Sequence, residues 1–233
     1  MKEEVLILNF GGQYTQLIAR RIRECNVYCE IISHKTPVYK IKEMKPAAIV
    51  LSGGPASVCA KNAPQCDKGI FNLGVPVLGI CYGAQLMAKL LGGRVSQSEI
   101  SEFGRSELII NNDNPIFNNI DKVTTAWMSH TDSIDTLPDD FEIIAFTKDC
   151  PVAAMANESK RLYGVQFHPE VVHTTKGMEM LRNFLFKISK LSADWTMDSL
   201  VEQTIKSVRE KVGDKEAICA ISGGVDSTVA AVL

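Results

Sequence analysis

Three short stretches carry residue types that do chemistry on an amide or an ester. Residues 75–85 read VPVLGICYGAQ, an apolar run followed by Gly79-Ile80-Cys81-Tyr82-Gly83 and then a helical pattern. Glycines two residues before and after Cys81 permit the cramped backbone of a strand-to-helix nucleophile elbow. The helix that follows turns its N–H groups and positive dipole end toward the sulfur. Such surroundings favour a reactive thiolate. For this segment alone, a core cysteine that happens to lie between glycines is the plain alternative.

A cysteine nucleophile needs a base to take and return a proton, and the base needs a third group to fix its tautomer. The run LYGVQFHPE at 162–170 offers both. Leu162 to Phe167 reads as a strand, His168 stands at its end, Pro169 stops further pairing, and Glu170 is near enough to turn back onto the imidazole. Alone, His-Pro-Glu is more often a strand exit. It gains weight beside Cys81, because open parallel α/β sheets gather reactive groups at the carboxyl ends of their strands. A third run, AAIVLSGGP at 47–55, ends another buried-type strand in Gly53-Gly54. The Gly54 and Tyr82 N–H groups are the expected oxyanion donors; an ordinary turn closed by Pro55 is the bland reading.

The elements that must position these groups follow from periodicity. Strand-like runs at 5–10, 28–33, 47–52 and 75–80 alternate with helical stretches, the first being Gln13 to Glu24 with Leu17, Ile18 and Ile22 on one face. The pattern predicts an α/β fold: an open, mainly parallel sheet with helices on both faces. From about 99 to 168 shorter strand-like segments dominate, so part of the sheet is expected to be antiparallel and the whole mixed. A helix at Lys176 to Lys190 turns Met180, Leu181, Phe184, Leu185 and Ile188 inward. A boundary is expected at Leu191 to Trp195, giving a first domain at 1–190 and the start of another at 191–233. In the latter Thr196 is a plausible N-cap for a helix ended by Gly213.

Gly79 to Gln85, Ser52-Gly53-Gly54-Pro55 and His168-Pro169-Glu170, in this order, resemble the class I (triad) glutamine amidotransferase family, whose sheet is flavodoxin-like. FGGQYTQLIARRIR at 10–23 and Trp127-Met128-Ser129-His130 narrow the resemblance to its GMP synthase branch. The resemblance implies L-glutamine as substrate, with catalytic Cys81, His168 and Glu170. It also implies glutamine contacts from Gly53, Gln85, Ser129, His130 and Asp132, His130 being a pocket wall rather than a second base. Without that likeness, Ser129 to Asp132 reads as a polar turn between strands. Two positions depart from the family pattern: Asn9 stands where Asp is usual, and Thr131 where Gly is usual.

The C-terminal run AICAISGGVDSTVAAVL predicts a strand at Ala217 to Ile221, then Ser222-Gly223-Gly224-Val225-Asp226-Ser227-Thr228 at a helix start. A glycine-rich loop feeding a helix N-terminus is an anion cradle. It lacks the lysine of a P-loop and resembles the pyrophosphate loop of ATP pyrophosphatases. The resemblance implies ATP with Mg²⁺ and XMP as substrates of a longer, homodimeric enzyme. Of that enzyme these 233 residues are the glutaminase half, unable to make GMP alone and needing no cofactor for hydrolysis. A stand-alone cysteine hydrolase of similar fold, and a silent glutamine- or partner-binding module, are the rival readings.

A formal net charge of −2 implies no broad basic surface for nucleic acid. Seven cysteines without a paired framework suggest a reducing, cytoplasmic setting. Cys25 and Cys29 lack a second close pair of ligands, so no metal is expected there. The opening MKEEVLILNF is too short an apolar run for a membrane span.

Overall fold

The computed structural model describes residues 4–111 and 113–232; within its strands and helices the side chains of 98–100, 197–200, 203 and 207 fall outside the described set. The chain divides into two compact units, 1–193 and 194–233.

In the first unit β1 (Glu4–Asn9), α1 (Thr15–Glu24), β2 (Tyr28–Ser33), α2 (Val38–Met44), β3 (Ala48–Leu51), β4 (Val77–Ile80) and α3 (Tyr82–Leu90) alternate as the periodicity predicts. Strands β5 (Arg94–Ile110), β6 (Val123–Thr136), β7 (Glu142–Phe146), β8 (Ala154–Asn157) and β9 (Leu162–Val165) follow, then α4 (Gly177–Arg182). Among the described residues they make one nine-stranded sheet in the order β2-β1-β3-β4-β9-β8-β7-β5-β6. The pairs from β2 through β9 are parallel, and those from β9 through β6 antiparallel.

The two-residue period of β1 sets the layers. Val5 and Ile7 join one buried cluster with Ile18, Ala19 and Ile22 of α1 and with Met180 and Leu181 of α4. Leu6 and Leu8 join the other, with Ile41 of α2 and Leu86 and Met87 of α3. Both sheet faces are therefore covered, and fully burying each such side chain contributes about 1.5–3 kcal/mol.

Three expectations for the first unit need correction. In place of short strands before residue 136, β5 and β6 form a long antiparallel ribbon, with irregular register between Gln97 and Glu102. Ser129 to Asp132 lie inside β6 and not in a turn: the segment lines a pocket, with His130 and Asp132 buried and Thr131 exposed, and local sequence does not distinguish such a polar run from one facing water. The helix expected over 176–190 changes at Asn183, where a π-turn spans Asn183–Ile188 and Ser189 N donates to Phe184 O at 2.9 Å. The widened turn keeps Phe184, Leu185 and Ile188 buried. It also lets the buried Asn183 amide donate to Ile116 O and Asn118 O at 3.0 and 2.8 Å.

In residues 194–233, α5 spans Met197–Val212 and α6 Val225–Val232. Gly213 sits at φ 55 and its N–H donates to Arg209 O at 2.8 Å, a left-handed helix end that suits glycine. The expected strand Ala217 to Ile221 has no ladder partner among the described residues, and all five are exposed. A strand exists only by pairing, so its sequence preference alone does not form one.

Candidate active site

Cys81 follows β4 directly and heads α3, at φ 52 and ψ −108. A non-glycine residue holds such a backbone at a cost on the order of 1–3 kcal/mol, and sites that do chemistry are where the cost is found. Close packing enforces it. A Cβ at Gly83 would stand 2.4 Å from Leu51 O, so only glycine lets α3 settle against β3. On the other side Cys81 N donates to Val165 O at 2.7 Å, joining the elbow to the strand that leads to His168.

His168 is pinned at both its backbone and its ring. Its N–H donates to Trp127 O at 3.1 Å, and its carbonyl accepts from Thr174 Oγ1 at 2.6 Å. The same Thr174 hydroxyl accepts from Trp127 N at 3.0 Å. The ring stands edge-on to Tyr14, with centroids 5.1 Å apart. Its Nδ1 is 2.7 Å from Glu170 Oε1, inside the protein. A carboxylate only accepts, so the Nδ1 proton is fixed and Nε2 is left for the chemistry. Burial, the largest influence, pulls the His168 pKa down, yet hydrogen bonds to the Cys81 side chain and to Glu170, with their charges, raise it to about 10. A proton held on the imidazole beside the sulfur is the charge arrangement of a nucleophilic cysteine with its general acid.

The sulfur has further company that sequence reasoning missed. Gln166 Nε2 donates to Cys81 Sγ at 3.6 Å, while Gln166 Oε1 accepts from Gln85 Nε2 at 3.2 Å. Gln85 Nε2 also donates to Asp132 O at 2.8 Å. The backbone of Gly53 presses on the pair from the far side: a Cβ there would lie 3.2 Å from His168 Cε1 and 3.9 Å from Cys81 Cβ.

These groups open on a cavity of about 480 Å³, within the range of small-molecule pockets. Gly53, Gly54, Cys81, Tyr82, Gln85, Ser129, His130, Asp132 and His168 all line it, as does Tyr14, and Glu170 stands behind His168. The Tyr82 N–H belongs to the first turn of α3, where no intrahelical acceptor is available. The imidazole of His130 faces into the wall: Nδ1 is 3.0 Å from Asp132 O and Nε2 is 3.4 Å from Glu102 Oε2. Burial, against the opposing charge of Glu102, holds its pKa below the usual histidine value. The Asp132 carboxylate accepts from Ser57 Oγ. Asn9, at the position usually aspartate, still accepts through Oδ1 from Gly11 N at 2.8 Å and Thr15 Oγ1 at 3.3 Å.

In the second unit residues 222–224 and the first turn of α6 are bonded to one another. Ser222 and Ser227 hydroxyls are 3.0 Å apart, and Gly224 O accepts from Ser227 Oγ and Thr228 Oγ1 at 3.0 and 2.9 Å. Val225 and Asp226 open α6.

A model of the class-I glutamine amidotransferase family matches residues 6–188, well over half of the chain. The chain belongs to this family. Among similar curated members, the GMP synthase (glutamine-hydrolyzing) of Caldanaerobacter subterraneus subsp. tengcongensis is 62% identical over 232 residues. That of Clostridium novyi is 58% identical over 232 residues. Each match takes in 100% of this chain and 45% of the relative, so the chain spans just under half the length of the curated relatives it matches. Among solved structures, a Thermoplasma acidophilum protein assigned as part of a GMP synthase superposes with a TM-score of 0.73. It is 28% identical, with coverage of 89% of this chain and 98% of that one. A glutamine amidotransferase from Thermotoga maritima shares the fold at a TM-score of 0.61 and 22% identity, covering 91% of this chain and 93% of its own. No helix of the described residues is long and apolar enough to cross a membrane.

Proposed function

We propose that this chain hydrolyses glutamine to glutamate and ammonia through a thioester on Cys81. One observation carries the reading: a cysteine on a strained elbow and a histidine held by a carboxylate at 2.7 Å meet at the end of one pocket. Membership in the class-I glutamine amidotransferase family supports it.

The Cys81 thiolate attacks the side-chain amide carbon of glutamine. The Gly54 and Tyr82 N–H groups take the charge that develops on oxygen, and His168 passes its proton to the departing ammonia. Water then adds to the thioester with His168 as base, releasing glutamate. Glu170 keeps the imidazole in one tautomer throughout. Gly53, Gln85, Ser129, His130 and Asp132 form the glutamine-facing surface. Of these, Gln85 acts through the groups it orients, its amide nitrogen being engaged within the protein, and His130 forms the pocket wall, its Nδ1 bonded to the Asp132 carbonyl.

The identity with GMP synthases supports a further assignment: the ammonia serves ATP-dependent amination of XMP by a longer enzyme. In that enzyme Ser222 to Thr228 would hold the phosphates of ATP, and Asp226 would help to organise the metal or the nucleotide. The loop's glycines and hydroxyls ahead of a helix N-terminus suit an anion.

Two measurements test the hydrolytic reading: ammonia release from glutamine, and covalent labelling by a glutamine-analogue chloroketone. Release and labelling that both vanish in Cys81→Ala are expected. A folded chain that takes up no label, or that cleaves peptides without touching glutamine, contradicts it.

A further inference from the structure

Behind the pocket wall, three chemically dissimilar groups from three elements converge. Glu102 lies on β5, His130 opposite it on β6, and Cys150 in the connection from β7 to β8. All three are buried, and their ligand-type atoms lie within 4.8 Å of one another. Neither the glutamine chemistry nor the sheet's core requires such a set.

The hydrogen bonds around it fix its chemistry. His130 Nδ1 lies 3.0 Å from the Asp132 carbonyl, which can only accept, so Nδ1 carries a proton. In the neutral ring the Nε2 lone pair is then bare. Nε2 is almost wholly buried and has no hydrogen-bond partner among the described residues. Glu102 Oε2 stands 3.4 Å away, an ion-pair distance without hydrogen-bond geometry. Two ligand atoms, each about 2.0–2.1 Å from a tetrahedral metal, are themselves about 3.4 Å apart. The carboxylate is held by other groups: Ser106 Oγ donates to Oε1 at 2.9 Å, and Thr147 Oγ1 reaches Oε1 and Oε2 at 3.0 and 3.2 Å. Thr147 Oγ1 also accepts from Cys150 N at 2.9 Å, coupling the carboxylate to the cysteine loop. A carbonyl on the far nitrogen of a histidine, and hydroxyls on a carboxylate, are the outer partners that metal ligands have.

We propose that Glu102, His130 and Cys150 form a three-ligand site for one soft divalent cation of the Zn²⁺ class, the fourth position being left to water. Imidazole nitrogen, thiolate sulfur and carboxylate oxygen together suit Zn²⁺ and not Mg²⁺ or Ca²⁺, which take oxygen ligands. On binding, the Cys150 thiol gives its proton to solvent and the sulfur bonds the cation; one carboxylate and one thiolate then balance the 2+ charge. Burial raises the Cys150 pKa to about 12, so the thiolate forms with the cation and not before it. With the ligand atoms within 4.8 Å of one another, the sulfur must approach by no more than about 1.3 Å to reach bonding distance. His130 also lines the cavity, which gives the cation its way in. The site would tie β5, β6 and the β7–β8 connection together directly behind the glutamine pocket.

The test uses the 233-residue chain carrying Cys81→Ala, which removes the catalytic sulfur beside His168 as a competing soft donor. Equilibrium dialysis against Zn²⁺ alone should give one ion per chain, and Zn²⁺ should raise the melting temperature. Co²⁺ should produce a thiolate-to-metal charge-transfer band. Adding Cys150→Ala or Glu102→Gln should weaken Zn²⁺ binding by at least about 100-fold, with folding checked by circular dichroism. A Cys81→Ala chain that takes up less than one Zn²⁺, or shows no thiolate band with Co²⁺, overturns the site. Undiminished affinity after Cys150→Ala in a folded chain does the same. Because the readout is metal content, the outcome is independent of whether glutamine is the substrate.

Discussion

Gln166 places its amide nitrogen 3.6 Å from the sulfur of Cys81, two residues before the histidine that serves the same sulfur. The segment that leaves the end of β9 therefore delivers two groups to the nucleophile, a neutral donor and a base. Gln166→Leu removes the neutral one. The expected result is a loss in kcat/KM on the order of 10-fold, about 1.4 kcal/mol, with slower alkylation of Cys81 by iodoacetamide at neutral pH. An unchanged alkylation rate would remove Gln166 from the account.

The His168 proton has a pH signature. Its pKa is raised from 6.5 to about 10 in the folded protein, against the downward pull of burial. A raised histidine pKa stabilises the fold fully below about pH 6.5 and loses that contribution as pH climbs through about 10. Denaturant titrations of the wild-type chain and of His168→Gln should therefore converge as pH rises from 7 to 10. NMR titration of His168 in Cys81→Ala should give a lower pKa than in the wild type, because one of the two groups that raise it is gone.

Glu170→Gln keeps the size of the carboxylate and removes its charge. The amide can present either its oxygen or its nitrogen to Nδ1, so the tautomer is no longer enforced. The loss should fall mainly in kcat, on the order of 100-fold or more, with KM for glutamine nearly unchanged. Steady-state kinetics separate this from a loss in binding, which would move KM first.

Gly53→Ala tests the packing of the catalytic pair. The added methyl meets His168 Cε1 at 3.2 Å, and the imidazole cannot retreat without lengthening its 2.7 Å bond to Glu170. A displacement of a few tenths of an ångström should cost roughly 10- to 100-fold in kcat, while the fold loses no more than about 1–3 kcal/mol. Ammonia release and thermal melting together check both halves.

The nucleophile and its base were legible in sequence for a local reason. Gly79 and Gly83 flank Cys81 at the spacing an elbow requires, and His168 follows an apolar strand directly. Strands β1, β3 and β4 were legible for the same reason, being continuous apolar runs. The groups missed depend on registers that no local pattern encodes. Glu102 meets His130 only because β5 and β6 pair across an irregular stretch, and Cys150 joins them from a loop. Gln166 read as an ordinary strand residue, since period-two alternation says which face it takes but not which sulfur lies there. Ala217 to Ile221 has strand-forming residues and lacks a partner strand, so its propensity has nothing to act on.

The central claim is a covalent one, and acid-quenched peptide mass spectrometry of the chain mixed with glutamine tests it most directly. A single γ-glutamyl group on the peptide that contains Cys81, absent from Cys81→Ala together with ammonia release, is the predicted result. Ammonia formed at an undiminished rate by Cys81→Ala, or a glutamyl group carried on another residue, would contradict it.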